Sequence, residues 1–195
     1  MPSDLQSDRD LTDRARRGDA AAWRAIYDST CDRLFAFLCY QLGDREEARD
    51  LLQETYLQAF RRLETYRGEA PLAVWLRSIA LGRSLDWKRV ILRRLKRTAR
   101  LEESSAQAEP DTEGVRFASE DGALRRALGR LSHRQRAALL LREWEELGFG
   151  EIAKLLGCAE STARVHHARA RERMRAALKN ESRPFVERDW EGQQI

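Results

Sequence analysis

Arginines alternate with small residues along STARVHHARARERM (161–174), and that spacing could do one kind of chemistry, contact with the grooves of a polyanion. At 100° per residue, Ala163, His167, Ala170, Met174 and Leu178 fall on one seam of a helix. Val165, Ala168, Arg169 and Glu172 point the opposite way, with Arg164 flanking them and His166 beside the same face. Small side chains next to guanidinium groups let a helix approach base edges closely. A solvated, arginine-rich surface helix would look similar, so the preceding residues matter. Phe149, Ile152, Ala153 and Leu156 share one face of a shorter helix, and Gly157 follows where that helix must stop in a left-handed turn. Short helix, glycine turn and long basic helix make the helix-turn-helix pattern, whose second helix enters the major groove.

The elements that position this unit are all helical. Asp19 can cap a helix carrying Trp23, Ile26, Tyr27, Leu34 and Leu38 inward and ending at Gly43. Asp44 and Glu47 then open a second helix as an acidic capping box. Its inward stripe is Ala48, Leu51, Leu52, Thr55, Tyr56, Ala59 and Leu63, which leaves Asp50, Gln53, Glu54, Leu57 and Arg61 on the outward face. Leu57 is an apolar residue among charges there, which favours a partner site over a merely solvated face. Residues 66–71 form a turn, and a helix runs from Leu72 through Trp75, Leu76 and Ile79 into a basic run. Farther on, Ala123 to Leu131 forms one helix, and a Ser132–Gln135 capping box opens the next. Leu11 to Arg17 reads as a short helix, with residues 1–8 frayed before it. No segment alternates with the two-residue period of a strand.

Charge divides the chain. The formal net charge is +4 and the pI about 9.2, which suits a polyanionic partner. Lys88 to Arg100 holds seven Lys or Arg and no acid, whereas Leu101 to Asp121 holds seven Asp or Glu and one Arg. The acidic stretch mixes Ser, Ala, Glu, Pro and Gly with few large apolar residues, too few to order itself. Solvation would explain its charge, and so would competition with nucleic acid for a basic channel. The fold class expected is therefore all-α, two small helical domains joined by a flexible acidic linker, the C-terminal one with a helix-turn-helix. The boundaries are 10–97, 98–120 and 121–178, with a tail at 179–195. Phe185 and Trp190 stand in a polar context in that tail, which could pack back on a domain or meet a regulator.

Several function classes are excluded. No apolar run approaches the roughly 20 residues of a membrane span, and the N-terminus lacks a signal-peptide stretch. Cys31, Cys39 and Cys158 have no paired spacing and read as reduced thiols in a cytoplasmic setting. Carboxylates are spaced to pair with Lys and Arg along helices, and His166–His167 is not a metal spacing. Neither a catalytic constellation nor a metal site is expected.

Four stretches together resemble a family. GDAAAWRAIYD (18–28) and ARDLLQETYLQAFRRLETYRG (48–68) are similar to the first two regions of the N-terminal domain of extracytoplasmic-function sigma factors. YRGEAPLAVWLRSIALGRSLDWKRV (66–90) resembles their promoter-melting segment. LRRALGRLSHRQRAALLLREWEELGFGEIAKLLG (124–157), continued by STARVHHARARERM, resembles their C-terminal domain. The resemblance implies a cofactor-free subunit that binds RNA polymerase core through the β′ coiled coil and β, and recognises promoter −35 and −10 elements. It implies core binding by Asp50, Gln53, Glu54, Leu57 and Arg61. It assigns −10 contacts to Tyr66, Arg67, Gly82, Arg83, Lys88 and Arg89, with Arg77 as a further cation. Tyr66 matches the aromatic residue beside the pocket for a flipped base. The −35 contacts fall on Arg164, Val165, His166, Ala168 and Arg169. An anti-sigma factor, often membrane-anchored, is the further partner implied.

Two departures, at Gly82 and His167, qualify that assignment. Gly82 stands where relatives often carry an asparagine whose amide contacts a −10 base, so readout there relaxes or shifts to Ser78 or Arg83. His167 occupies a seam position that usually carries leucine and is read as structural, and Trp75 is expected to pack in the core. Trp87 fits either role. A stand-alone helix-turn-helix regulator binding duplex DNA would explain 124–178 but leave the first half without a purpose. An adaptor that only sequesters partners is the third reading.

Overall fold

A computed structural model of the protein describes residues 2–84 and 122–181. Among the described residues the chain forms eight α-helices, one 3₁₀ turn and no strand. The N-terminal half comprises α1 (Pro2–Arg16), α2 (Ala20–Leu42), α3 (Arg45–Arg62), η1 (Leu63–Thr65) and α4 (72–84). The C-terminal half comprises α5 (Gly122–Gly129), α6 (His133–Glu143), α7 (Phe149–Leu156) and α8 (Glu160–Glu181). The acidic stretch expected to join them, Trp87, Lys88, Arg89 and the segment 182–195 lie outside the described residues.

Local chemistry sets most boundaries. The Asp19 carboxylate accepts from the Ala21 and Ala22 amides at 2.9 and 3.2 Å, and Asp44 from those of Glu46 and Glu47 at 2.8 and 2.9 Å. Caps of this kind stabilise a helix by about 1 kcal/mol each. The Ser132–Gln135 capping box is formed in both directions. Gly157 ends α7 at φ 61°, the left-handed turn of the helix-turn-helix.

α1 begins earlier than the sequence suggests, since the expected frayed stretch is helical from Pro2. Distant groups hold it. Asp8 Oδ2 accepts from the Leu72 amide at 2.7 Å, and Arg9 donates to the Gly68 carbonyl at 3.0 Å. Gly68 permits that approach, because its φ is 67° and a Cβ would stand 2.4 Å from Arg9 Nε.

The two halves are not separate bodies in this structure. One apolar core runs from Ile26, Phe37, Leu38, Leu51 and Leu76 into Ala137, Leu141, Ile152 and Leu156. Between α2 and α6, Gln41 Nε2 lies 2.8 Å from His133 Nδ1 and donates to the His133 carbonyl at 3.0 Å. Arg136, only 1% exposed, donates to the carbonyls of Leu128, Leu131 and Gln41 at 2.9, 3.1 and 2.6 Å. Its guanidinium thus sits at the negative C-terminal ends of α5 and α2. Burial pulls its pKa down to about 10. On the same seam the Tyr40 and Trp144 rings meet edge to face at 5.4 Å.

Candidate nucleic-acid interface

α8 packs through the expected seam. Ala163, His167, Ala170 and Met174 are buried, whereas Leu178 is 37% exposed and Ala177 takes its inward place. His167 is structural. Its Nε2 lies 2.7 Å from Glu143 Oε1, and its ring stands edge-on to Phe149 at 5.3 Å. Val165, Ala168 and Arg169 are exposed and His166 is half-buried, so the first three turns of α8 present the expected face. Arg164 is already engaged: it pairs with Glu160 at 2.5 Å and lies over the Phe149 ring at 4.6 Å. That stacking holds its guanidinium beside the start of the helix.

α3 also keeps its two faces apart. Ala48, Leu51, Leu52, Thr55 and Ala59 are buried, and Asp50, Gln53, Glu54, Leu57 and Arg61 are exposed. Leu57 is 59% exposed and Phe60, three residues on, 64%. Tyr27 of α2, expected inward, is instead 45% exposed and stands 4.8 Å from the Tyr56 ring. Together with Trp23, which meets Phe60 at 5.2 Å, these residues line an aromatic groove beside the polar face.

The loop and α4 depart furthest from the sequence expectation. Arg67, Gly82 and Arg83 are exposed, but Tyr66 is not. Tyr66 is 4% exposed, its hydroxyl donates to the Ala70 carbonyl at 2.8 Å, and its ring lies 5.4 Å from Trp75. Burial raises its pKa to about 12. A ring so enclosed offers no open face for a base and instead fixes the loop. Trp75 packs half-buried against the core, as expected. Arg77 is likewise withdrawn: 3% exposed, it forms an ion pair at 2.9 Å with Glu145 from the other half. Desolvation lowers its pKa, opposed by the Glu145 charge. Arg83 remains at the surface, paired with Glu54 of α3.

Comparison with known proteins decides the family. Residues 26–101 match Sigma-70 region 2 and residues 121–174 match Sigma-70, region 4. The chain is 32% identical over 175 residues to the ECF RNA polymerase sigma factor SigM of Mycobacterium tuberculosis, covering 89% of this chain and 85% of that protein. It belongs to the extracytoplasmic-function sigma factors. The sigma factor is also 29% identical over 185 residues to BldN of Streptomyces coelicolor, covering 93% of this chain and 69% of that one. Its fold is shared with the sigma factor RpoE of Bartonella quintana, solved in complex with the anti-sigma factor NepR. The TM-score there is 0.64 at 24% identity, over 80% of this chain and 96% of that one. CnrH, solved with the cytosolic domain of CnrY, gives 0.63 at 23%, over 90% and 99%.

The protein thus directs promoter-specific transcription, and the stand-alone regulator reading is not favoured. Sigma factors are non-enzymatic initiation factors. None of the described helices is long and apolar enough to cross a membrane, and Cys31, Cys39 and Cys158 are free thiols. Sequence reasoning missed Phe60, Glu145 and Arg136. Phe60 was legible as an aromatic residue one turn after the exposed Leu57. Glu145 gave no local signal because its partners Arg33 and Arg77 lie in the other half of the chain, and Arg136 because its acceptors are backbone carbonyls at the ends of α5 and α2.

Proposed function

We propose that this sigma factor divides its work among three surfaces. The outward face of α3, with Asp50, Gln53, Glu54, Leu57 and Arg61, grips RNA polymerase core, and Phe60 and Tyr27 extend it. Arg67, the exposed edge of α4 at Gly82 and Arg83, and the succeeding Lys88 and Arg89 hold the melted −10 strand. Val165, Ala168 and Arg169 enter the −35 major groove, with Arg164 and His166 beside the backbone. The observation that carries this reading is the isolation of each face: among the described residues its members, half-buried His166 apart, are exposed while their helical neighbours fill the core. An exposed leucine and phenylalanine on an otherwise polar helix favour a protein partner there. The absence of a side-chain amide at Gly82 relaxes base readout at that position.

Simultaneous contact with both elements requires the halves to part. Elements 25 base pairs apart lie about 85 Å apart at 3.4 Å per base pair, whereas Gln41 and His133 here touch. An anti-sigma factor is the regulatory partner this arrangement fits, as the similar sigma factor RpoE was solved in complex with the anti-sigma factor NepR. Reversing Asp50 and Glu54 to lysine tests the polymerase face. The double variant should lose co-purification with core at unchanged helical content. Wild-type recovery of core would refute the assignment.

A further inference from the structure

α1 has no part in the three proposed surfaces, yet its side chains hold the loop that carries one of them. Asp8, Thr12, Ala15 and Arg16 share one face of the helix, with Arg9 beside it. Thr12 and Ala15 are buried, and the charged residues at the ends of that face lie about 12 Å apart along the axis at 1.5 Å per residue. Their contacts bracket the chain from Leu63 to Leu72.

Every one of these contacts goes to backbone. Arg16 Nη2 donates to the Leu63 carbonyl at 3.0 Å and to that of Tyr66. Arg9 Nη2 donates to the Gly68 carbonyl, and Asp8 Oδ2 accepts from the Leu72 amide. That amide is a donor which the first turn of α4 leaves unpaired. Pro71 before it has no side-chain acceptor, so the cap comes from α1. Tyr66 adds a tie within the loop, from its hydroxyl to the Ala70 carbonyl.

Arg67 stands between the pinned carbonyls. It is exposed, flanked by buried Tyr66 and Gly68, and among the described residues it makes no hydrogen bond or ion pair. The backbone on both sides is fixed while the guanidinium stays available. A cation on a held backbone loses less freedom on meeting a phosphate than one on a loose loop. Direction matters as well, because Glu69 is also exposed and carries the opposite charge. A loop free to turn would bring either side chain to the strand.

We infer that α1 is a positioning element for the melted −10 strand. Arg9 and Arg16 fix the carbonyls on either side of Arg67, Asp8 fixes the start of α4, and Arg67 meets a phosphodiester already oriented. Arg9 and Arg16 act through Arg67 and are positioning residues. The clamp stands on the geometry alone; its purpose rests on the −10 reading above.

Two measurements separate the clamp from its purpose. In the full chain without DNA, Arg9→Met, at an exposed position of α1, should lower the NMR order parameters of the Arg67 to Ala70 amides and leave those of α3 and α8 unchanged. Unchanged loop order overturns the clamp. With holoenzyme and a promoter that it transcribes, premelted over the −10 element, Arg9→Met should weaken binding roughly three- to tenfold, the cost of ordering a long side chain afresh. Arg9→Lys, which keeps a donor, should recover most of the loss. In an Arg67→Ala background Arg9→Met should cost nothing further. A loss that adds in full to that of Arg67→Ala makes Arg9 a direct phosphate contact and overturns the positioning role, as does unchanged binding. Arg67→Ala without effect in the unsubstituted chain would fault the −10 reading and the purpose with it, while the order parameters would still decide the clamp.

Discussion

The two helices assigned to DNA meet the rest of the molecule in opposite ways. α8 gives its apolar seam to α5, α6 and α7 and leaves Val165, Ala168 and Arg169 in solvent. α4 turns one of its cations inward, so that Arg77 closes the contact between halves against Glu145. Counting basic residues on a helix therefore does not measure its capacity for nucleic acid. Phase against the buried stripe does: Arg77 is in register with buried Leu81 and Ser84, whereas Arg83 is not. α8 already presents its proposed recognition face in the closed protein, and α4 is partly committed to closure.

The sharpest way to break that contrast is Glu145→Ala. It strands the Arg77 charge in the interior and should cost about 3–5 kcal/mol, read by urea unfolding or as lost docking of the halves. Replacing both residues by leucine should recover most of the loss. If Glu145→Ala alone is neutral, Arg77 is not structural and the contrast fails.

On the other helix, Arg169→Ala should cost about 1–3 kcal/mol in promoter binding, concentrated on particular −35 sequences. Arg175→Ala, farther along α8, should do less at the same salt. Equal, sequence-independent losses would make α8 a generic basic rod.

Tyr66 separates the structural from the stacking role by its titration. Its folded pKa is raised to about 12, so the folded state holds the phenol proton more tightly than the unfolded chain. That stabilisation is complete below the ordinary tyrosine value near 10 and is lost as pH rises through about 12. Phenolate absorbance that disappears selectively in Tyr66→Phe above pH 11 would agree. A Tyr66 titrating near 10 would return the ring to solvent and to a stacking role.

The smallest effect belongs to Gly82. A Cβ there meets no atom within 4 Å, so Gly82→Ala should raise stability by up to about 1 kcal/mol through helix propensity. Thermal melting reads this directly, and a lower melting temperature would show that the glycine serves α4 itself.

What was legible in the sequence was whatever depends on neighbours within a turn or two. The period of α3, the Asp19, Asp44 and Ser132 caps, the Gly157 stop and the exposed face of α8 all follow from i, i+3 and i+4 relations. Those relations also marked four of the five polar or mixed positions of the α3 face as outward without help from tertiary contacts, and the fifth, Leu57, by the same phase. The fates of Tyr66, Arg77 and α1 were not legible in this way. Arg77 and α1 are decided by groups far along the chain, Glu145 in the other half and Leu72 and Gly68 against α1, and Tyr66 by a loop that folds Ala70 and Trp75 back on it outside any helical period. The Gln41–His133 and Arg136–Gln41 contacts span 92 and 95 residues. The sequence by itself determined the helices, their ends and their outward faces, because hydrogen bonding and apolar period act locally. Only the tertiary structure decided which charges are spent inside, because a buried charge is tolerated only where a distant partner repays its desolvation.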